Sequence, residues 1–531
     1  MSSKLFDNAA KVDNVTTTTN GMTAFNSSLS AVLDLFQDGF SYRRNPKAVE
    51  EAVRKAALEN KELTLKCLFY IRDIHEGQGE REVFRYGMRT LLSLYPEYTR
   101  NIIHIPNGTD DKPFGRWDDL IALLGLSKEI DIQIFDVLRT QLSNDMLNVM
   151  NGEPQKVSLL AKWLPSCNTS SKKTRELSVT VRNGLGIASE KQYRQQLSFL
   201  RKVINIVETK LSNKDYTFDY SKLPSYAAGK YRKAFLRNDN VRYVAYLQEL
   251  NKVVRSAEPV MLKSAPKINT STLYPYDVTR AITNNMRCVE QSLKNWCYVD
   301  EYEYRGDENI ALQADSQWRS LRNYFEGATG NHNWLAVVDT SGSMFNGWGH
   351  NIASIDVALS LGLYIAEHNT GIFKNQFISF SAKPIFQTID DTWPLKEKLL
   401  HMISAPWGQN TDLEAVFNKV LEIAVKNKIS VDEMPEAILI ISDMQFDCAT
   451  RGADALKMIR TKYAEAGYKM PKIVFWNAAA TVTSKPITYH RSGAILCGGC
   501  KPGMVEQILS AKNPEDFMVS VLNKDRYSII K

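Results

Sequence analysis

Five residues carry the clearest chemistry in this sequence: Asp339, Ser341, Ser343, Thr411 and Asp443. The first three form a D-x-S-x-S array directly after the apolar run "WLAVV". Thr411 sits in "GQNTDL", and Asp443 follows the apolar "ILIIS". Two carboxylates and three hydroxyls, without thiolate or imidazole, are hard oxygen donors. They suit Mg²⁺, with Mn²⁺ or Ca²⁺ as alternatives, rather than zinc. Magnesium asks for about six oxygens and gives up water reluctantly, so a set with this little charge leaves a position for a partner's carboxylate or phosphate. The competing reading makes the serines caps of a helix in Ile352–Asn369.

Catalytic patterns do not fit. Ser341 follows Thr340 and Ser343 precedes Met344, so no G-x-S-x-G elbow forms. No G-x-x-x-x-G-K-[ST] loop occurs, and no two histidines have H-E-x-x-H spacing. Catalytic metal pairs need several close carboxylates, whereas hydroxyls dominate here, so the chain is not expected to be an enzyme. His350 in "WGHN" reads as a turn residue. Cys497 and Cys500 form a lone C-x-x-C, read as a glycine-rich turn with idle thiols, a redox pair being the alternative.

The elements that must position the five residues follow from pattern. From Asn333 on, short apolar runs ("WLAVVD", "KNQFISFS", "EAILIISD", "KIVFWN") alternate with amphipathic helices such as "ASIDVALSLGLYIAEHN" and "TDLEAVFNKVLEIAVKN". That alternation predicts a doubly wound α/β domain with a mostly parallel sheet, whose site lies beyond the strands' carboxyl ends. Upstream the period is helical: "SLSAVLDLFQ" puts Leu29, Val32, Leu33 and Phe36 on one stripe. Successive helices with short connections predict an all-α array, resuming in "VTRAITNNMRCVEQSLKNW" and again in "QWRSLRNYF". The expected division is a flexible N-terminus over 1–25, an α-helical domain over 26–330 and an α/β domain over 331–531. With 531 residues, two or more cores are expected.

Composition is that of a globular protein, 44% hydrophobic and 24% charged. No apolar run is long enough to span a bilayer, and the N-terminus lacks a signal peptide's apolar core. Seven cysteines form no secreted framework. A cytoplasmic setting is expected. The charge is unevenly placed: Asn151–Asp300 holds 25 Lys+Arg against 12 Asp+Glu, or +13, and the remaining 41 against 47 give −6. Such a segment is either a solvated helical face or a polyanion surface.

Asp339-x-Ser341-x-Ser343, Thr411 and Asp443, in that order on those elements, resemble the metal-ion-dependent adhesion site (MIDAS) of a von Willebrand factor A (vWA) domain. The resemblance implies a Rossmann-like fold and a divalent cation held by all five residues, able to dock an acidic protein partner. Upstream, "YIRDIHEGQGERE" (Tyr70–Glu82), "GRWDDL", "LLAKWLPS" and "LPSYAAGKYRKAF" resemble a helical family that precedes an A domain. The whole architecture is similar to Ro autoantigen (TROVE-type) proteins, in which HEAT-like helices form a ring closed by an A domain and bind RNA. That likeness implies a ribonucleoprotein component contacting RNA through Lys162, Lys172, Lys173, Arg175, Arg182, Arg194, Arg201, Lys202, Lys230, Arg232, Lys233 and Arg237. Trp163, Tyr193, Phe199, Tyr226, Tyr231 and Phe235 interleave as stacking rings or core residues, with Trp163 and Phe199 buried by periodicity. A metal-dependent protein scaffold without RNA is the alternative.

Overall fold

The structure is a computed structural model that describes residues 14–18, 23–109, 112–256, 266–294, 297–325, 333–349, 352–380, 383–406, 412–444, 452–478, 484–489, 491–499 and 504–531. Thr411, His350, His490 and Cys500 lie outside the described residues.

A short hairpin (β1, Val15–Thr17; β2, Thr23–Phe25) precedes the helices. The first is α1 (Ala31–Asp38), capped by Ser30, whose Oγ accepts from Leu33 N. Val32, Leu33 and Phe36 are buried as the stripe predicts, while Leu29 lies ahead of the helix at φ 70°. Next comes α2 (Pro46–Arg72), with Pro46 in its first turn. It is broken at Asn60, whose Oδ1 accepts from Leu63 N and so caps the second segment. The array continues through α3 (Arg81–Leu94), α4 (His104–Asn107), α5 (Trp117–Ile121), α6 (Lys128–Met150) and α7 (Leu160–Trp163). Then follow α8 (Lys172–Gly184), α9 (Glu190–Val203), α10 (Val207–Ser212), α11 (Ser225–Asn238) and α12 (Asn240–Arg255).

One stretch departs from the helical expectation. Helix α13 (Pro275–Thr283) stops, and β3 (Met286–Lys294) pairs antiparallel with β4 (Cys297–Tyr304). Asn284 and Asn285 are poor helix residues that favour turns, and Val289 suits a strand. Helix α14 is Glu308–Arg319, so "QWRSLRNYF" contributes only its last turn.

The C-terminal region is a six-stranded sheet ordered β10–β9–β8–β5–β6–β7. Its strands are β5 (Trp334–Val338), β6 (Gln376–Ser379), β7 (Phe386–Thr388), β8 (Ala437–Ser442), β9 (Lys472–Asn477) and β10 (Ala494–Gly498). All neighbours are parallel except the edge pair β6–β7. Strands β5, β8 and β10 are buried at every position, as helix layers on both faces require. The helices are α15 (Ser354–His368), α16 (Leu395–Ile403), α17 (Leu413–Asn427), α18 (Gly452–Glu465), α19 (Val505–Ser510) and α20 (Pro514–Leu522).

One hydrophobic core runs from Val32 to Ile530 and crosses from helices to sheet without a break. Buried ion pairs fasten the two: Asp38 with Lys485, and Asp73 with Arg526, whose Nη2 donates to Asp73 Oδ1 at 2.7 Å. The Tyr70–Glu82 motif is built for this join. A Cβ on Gly77 would lie 1.9 Å from the Tyr70 carbonyl oxygen, and Gly79 sits at φ +68° against Tyr274. Arg72 and Arg85 converge on Asp119, at 2.7 and 2.8 Å. Arg116 pairs with Asp118 and lies 4.0 Å over the Trp163 ring. A second, separate core (Val207, Phe218, Tyr220, Phe235, Tyr243, Leu247 and neighbours) holds α10, α11 and α12 together.

Candidate functional site

Strands β5 and β8 are adjacent and parallel, so their carboxyl ends bring Asp339 and Asp443 to one place. The Asp339 amide donates to Ile441 O, which pins the two chain exits side by side. The Asp339 carboxyl is fully buried and oriented from two sides: Oδ1 accepts from Ser341 N at 2.9 Å, and Oδ2 accepts from Ser442 Oγ at 2.7 Å. Burial pushes its pKa up to about 6, and the nearby Asp443 charge pushes in the same direction. The Ser341 and Ser343 hydroxyls lie 3.3 Å from each other on the outer side of the loop, Ser343 exposed.

A buried acid whose charge a second acid disfavours, in the same loop as two paired hydroxyls, supplies donors of the kind a hard cation would complete. Among the described residues no three His, Cys, Asp or Glu side chains cluster as a metal site, so any cation here relies on the hydroxyls. In the connection between α16 and α17, next to position 411, Asp412 Oδ1 accepts from Ala415 N and caps α17. The serines do not cap the helix that follows them. Helix α15 starts after Ala353, whose amide donates to Asp356 Oδ2 at 3.0 Å.

The twelve cations separate by what they touch. Arg201 is turned inward, donating to Ala161 O, Leu164 O and Ser166 Oγ at 2.8–2.9 Å, so it clamps α9 to α7. Lys162 is 3.4 Å from Glu208, and Arg182 is half-buried with Nη2 on Asn183 Oδ1. Arg175 is exposed while donating to Thr169 O and Ser170 O. Lys172 and Arg194 are exposed beside Glu176 and Glu190 on their own helices. Lys173, Lys202, Lys230, Lys233 and Arg237 are exposed, and Arg232 is half-buried. Tyr226, Lys230, Lys233 and Arg237 fall at i, i+4, i+7 and i+11 of α11, all exposed, within roughly a 60° arc at about 3.6 residues per turn.

The aromatics divide likewise. Tyr193 and Phe235 are core residues, and Tyr231 donates to Glu208 Oε1. Trp163 is half-buried under Arg116. Phe199 corrects the periodicity reading: it is 46% exposed, because Tyr193, Leu197 and Leu200 already supply the buried face of α9. Tyr226 is 67% exposed.

A family model described as "Domain of unknown function (DUF2828)" matches residues 18–133 and 176–326, just over half of the chain. This chain belongs to the DUF2828 family. A second model, "Domain of unknown function (DUF7788)", matches residues 333–526, the sheet region of this DUF2828 protein. A relative is "Uncharacterized protein L728" of Acanthamoeba polyphaga mimivirus. It is 27% identical over an alignment of 547 positions that covers 96% of this chain and 87% of the relative. The crystal structure of the Deinococcus radiodurans RO (RSR) protein aligns over 93% of this chain and 99% of its own. The identity is 12% and the TM-score 0.37.

Two functional groups of this DUF2828 chain escape the sequence reading. Ser442 is the partner that orients Asp339, and its signal is a hydroxyl at the last position of an otherwise apolar strand. Asp356 is the other. Fully buried, it accepts from Thr283 Oγ1 at 3.2 Å and lies 3.2 Å from Arg280 Nε. It ties the helix after the D-x-S-x-S loop to α13, and nothing local in the sequence announces it. Cys497 is buried, which pushes its thiol pKa well up and leaves it unreactive.

Proposed function

We propose that this protein binds RNA through its basic helical surface and carries a vWA-like domain whose MIDAS holds a divalent cation, most favourably Mg²⁺. The observation that carries the RNA reading is the α11 stripe, where Tyr226, Lys230, Lys233 and Arg237 lie in line and exposed. Cations track a phosphate backbone, and an exposed ring at the end of the row can stack a base. Phe199 and Lys202 on α9 extend the same chemistry. The TROVE-type sequence resemblance agrees with that chemistry, and structured or single-stranded RNA is the substrate class. No enzymatic step is assigned.

The metal reading is supported by Asp339 and Asp443 on neighbouring strand ends and by the paired Ser341 and Ser343 hydroxyls. Asp339, Ser341, Ser343, Thr411 and Asp443 would hold the cation, which when bound would offer a Lewis-acidic position to a carboxylate. An acidic protein partner is the occupant this favours. The same geometry supports the second reading, a MIDAS-dependent protein scaffold without RNA. Among the described residues no helix is long and apolar enough to cross a membrane; a cytoplasmic site of action is part of the proposal.

The deciding experiment measures single-stranded RNA binding with and without EDTA, at low and high salt. RNA held by phosphates survives EDTA and weakens steeply with salt. An absence of RNA binding, with EDTA-sensitive capture of an acidic protein, would establish the scaffold reading instead.

A further inference from the structure

The two ends of the D-x-S-x-S loop are fixed by different parts of the chain. The sheet holds its entry, where the Asp339 amide donates to Ile441 O and Asp339 Oδ2 accepts from Ser442 Oγ. The helical half holds its exit, at Ile352 and Ala353. Arg43, in the turn after α1, donates from Nη2 to Ile352 O at 2.8 Å. The Ala353 amide donates to Asp356 Oδ2 at 3.0 Å. Asp356 in turn accepts from Thr283 Oγ1 and faces Arg280 Nε, each at 3.2 Å and each from α13. Between the two ends, the Trp348 ring meets Tyr302 of β4 edge-on, with centroids 6.0 Å apart.

Ser341 and Ser343 lie between these anchors, and their hydroxyls converge only while the backbone on both sides is held. A loop loose at its exit would have to be ordered by the cation itself, and that ordering cost subtracts from affinity. Asp356 is fully buried, so protein groups rather than water must satisfy its carboxylate. Two of those groups belong to α13, which places part of the loop's support outside the α/β region.

We propose that Arg43, Arg280 and Thr283 are positioning residues for the cation site, so that the helical half sets the metal affinity of the α/β region. They act through Asp356 and the backbone at Ile352 and Ala353, not on the cation. The inference rests on the metal reading.

The test measures Mg²⁺ affinity of the full chain by titration calorimetry, beside the metal-free unfolding midpoint. Thr283→Val keeps the side-chain volume and removes the donor to Asp356. Its Mg²⁺ affinity should fall about tenfold, the lower end of what outer-lying partners contribute to metal sites. Tenfold is about 1.4 kcal/mol, close to the cost of ordering roughly one residue of backbone. Thr283→Ser keeps the donor and deletes a buried methyl. Its metal-free midpoint should fall while its Mg²⁺ affinity stays within about twofold of the parent. Arg43→Met keeps the aliphatic stem, loses the bond to Ile352 O, and should weaken Mg²⁺ binding as Thr283→Val does. Equal losses of affinity in Thr283→Ser and Thr283→Val would overturn the proposal, because affinity would then follow packing and not the hydroxyl. Parent-like affinity in Thr283→Val and Arg43→Met would also overturn it, with the metal reading left intact. A parent chain that takes up no Mg²⁺ would remove the metal reading and this inference together.

Discussion

Replacing Lys230, Lys233 and Arg237 together by alanine strips three cations from one exposed line of α11 without entering the core, since Ala227, Ala228 and Phe235 form its buried side. For a single strand, each phosphate neutralised contributes about 0.7 to the slope of log affinity against log salt. Three phosphates contribute about 2, which is roughly a twentyfold share of the affinity lost between 50 and 200 mM salt. Fluorescence anisotropy with labelled single-stranded RNA across that range should therefore show the triple variant binding weakly at low salt, with a slope shallower by about 2. The two titrations should approach one another as salt rises. Parallel slopes would mean these residues touch no phosphate, and the RNA surface would have to be sought elsewhere. Tyr226→Ala offers the complementary control, weakening binding by about 1–3 kcal/mol at every salt concentration with the slope unchanged.

Three further outcomes follow from the geometry. Ser341→Ala with Ser343→Ala should abolish Mg²⁺-induced thermal stabilisation while leaving the metal-free midpoint within a degree or two, and a retained shift counts against the hydroxyl ligands. Arg526→Ala removes the bidentate partner of buried Asp73 and the cation stacked 4.4 Å from the Phe114 ring. It should destabilise the chain by about 3–5 kcal/mol in urea unfolding, and a loss under ~1 kcal/mol would show the pair to be solvent-screened. Asp277 has its pKa raised to about 6, chiefly by burial. A carboxyl raised in the folded state favours folding below its unfolded pKa and loses that contribution as pH rises through about 6. Between pH 4 and 7 the loss should be about 2 kcal/mol after solvent screening. Asp277→Asn should flatten that part of the stability curve, and an unchanged curve would place the titration elsewhere.

The helices and strands were legible where one face of an element decides its pattern. Val32, Leu33 and Phe36 are buried as the helical period predicts, and the apolar runs at β5 and β8 became central parallel strands. Phe199 misled because apolarity at helical spacing shows only that a residue could be covered. Whether it is depends on what packs there, and Leu197 and Leu200 fill that space first. The β3–β4 hairpin was hidden for a related reason: its mixed residues carry neither period clearly, and backbone pairing of β3 with the strand that follows it chose between them.

By itself the sequence determined the kinds of chemistry on hand: oxygen donors at strand ends, a basic middle segment, and helices followed by a wound sheet. Those are properties of residue type and local period, which the chain carries wherever it folds. Only the tertiary structure decided which charges are free to act. Arg201 is consumed by carbonyls of another segment, and Arg526 is locked to Asp73 across 453 positions of chain. Partner choice of that kind depends on distances between residues far apart in sequence, and no local pattern encodes a distance.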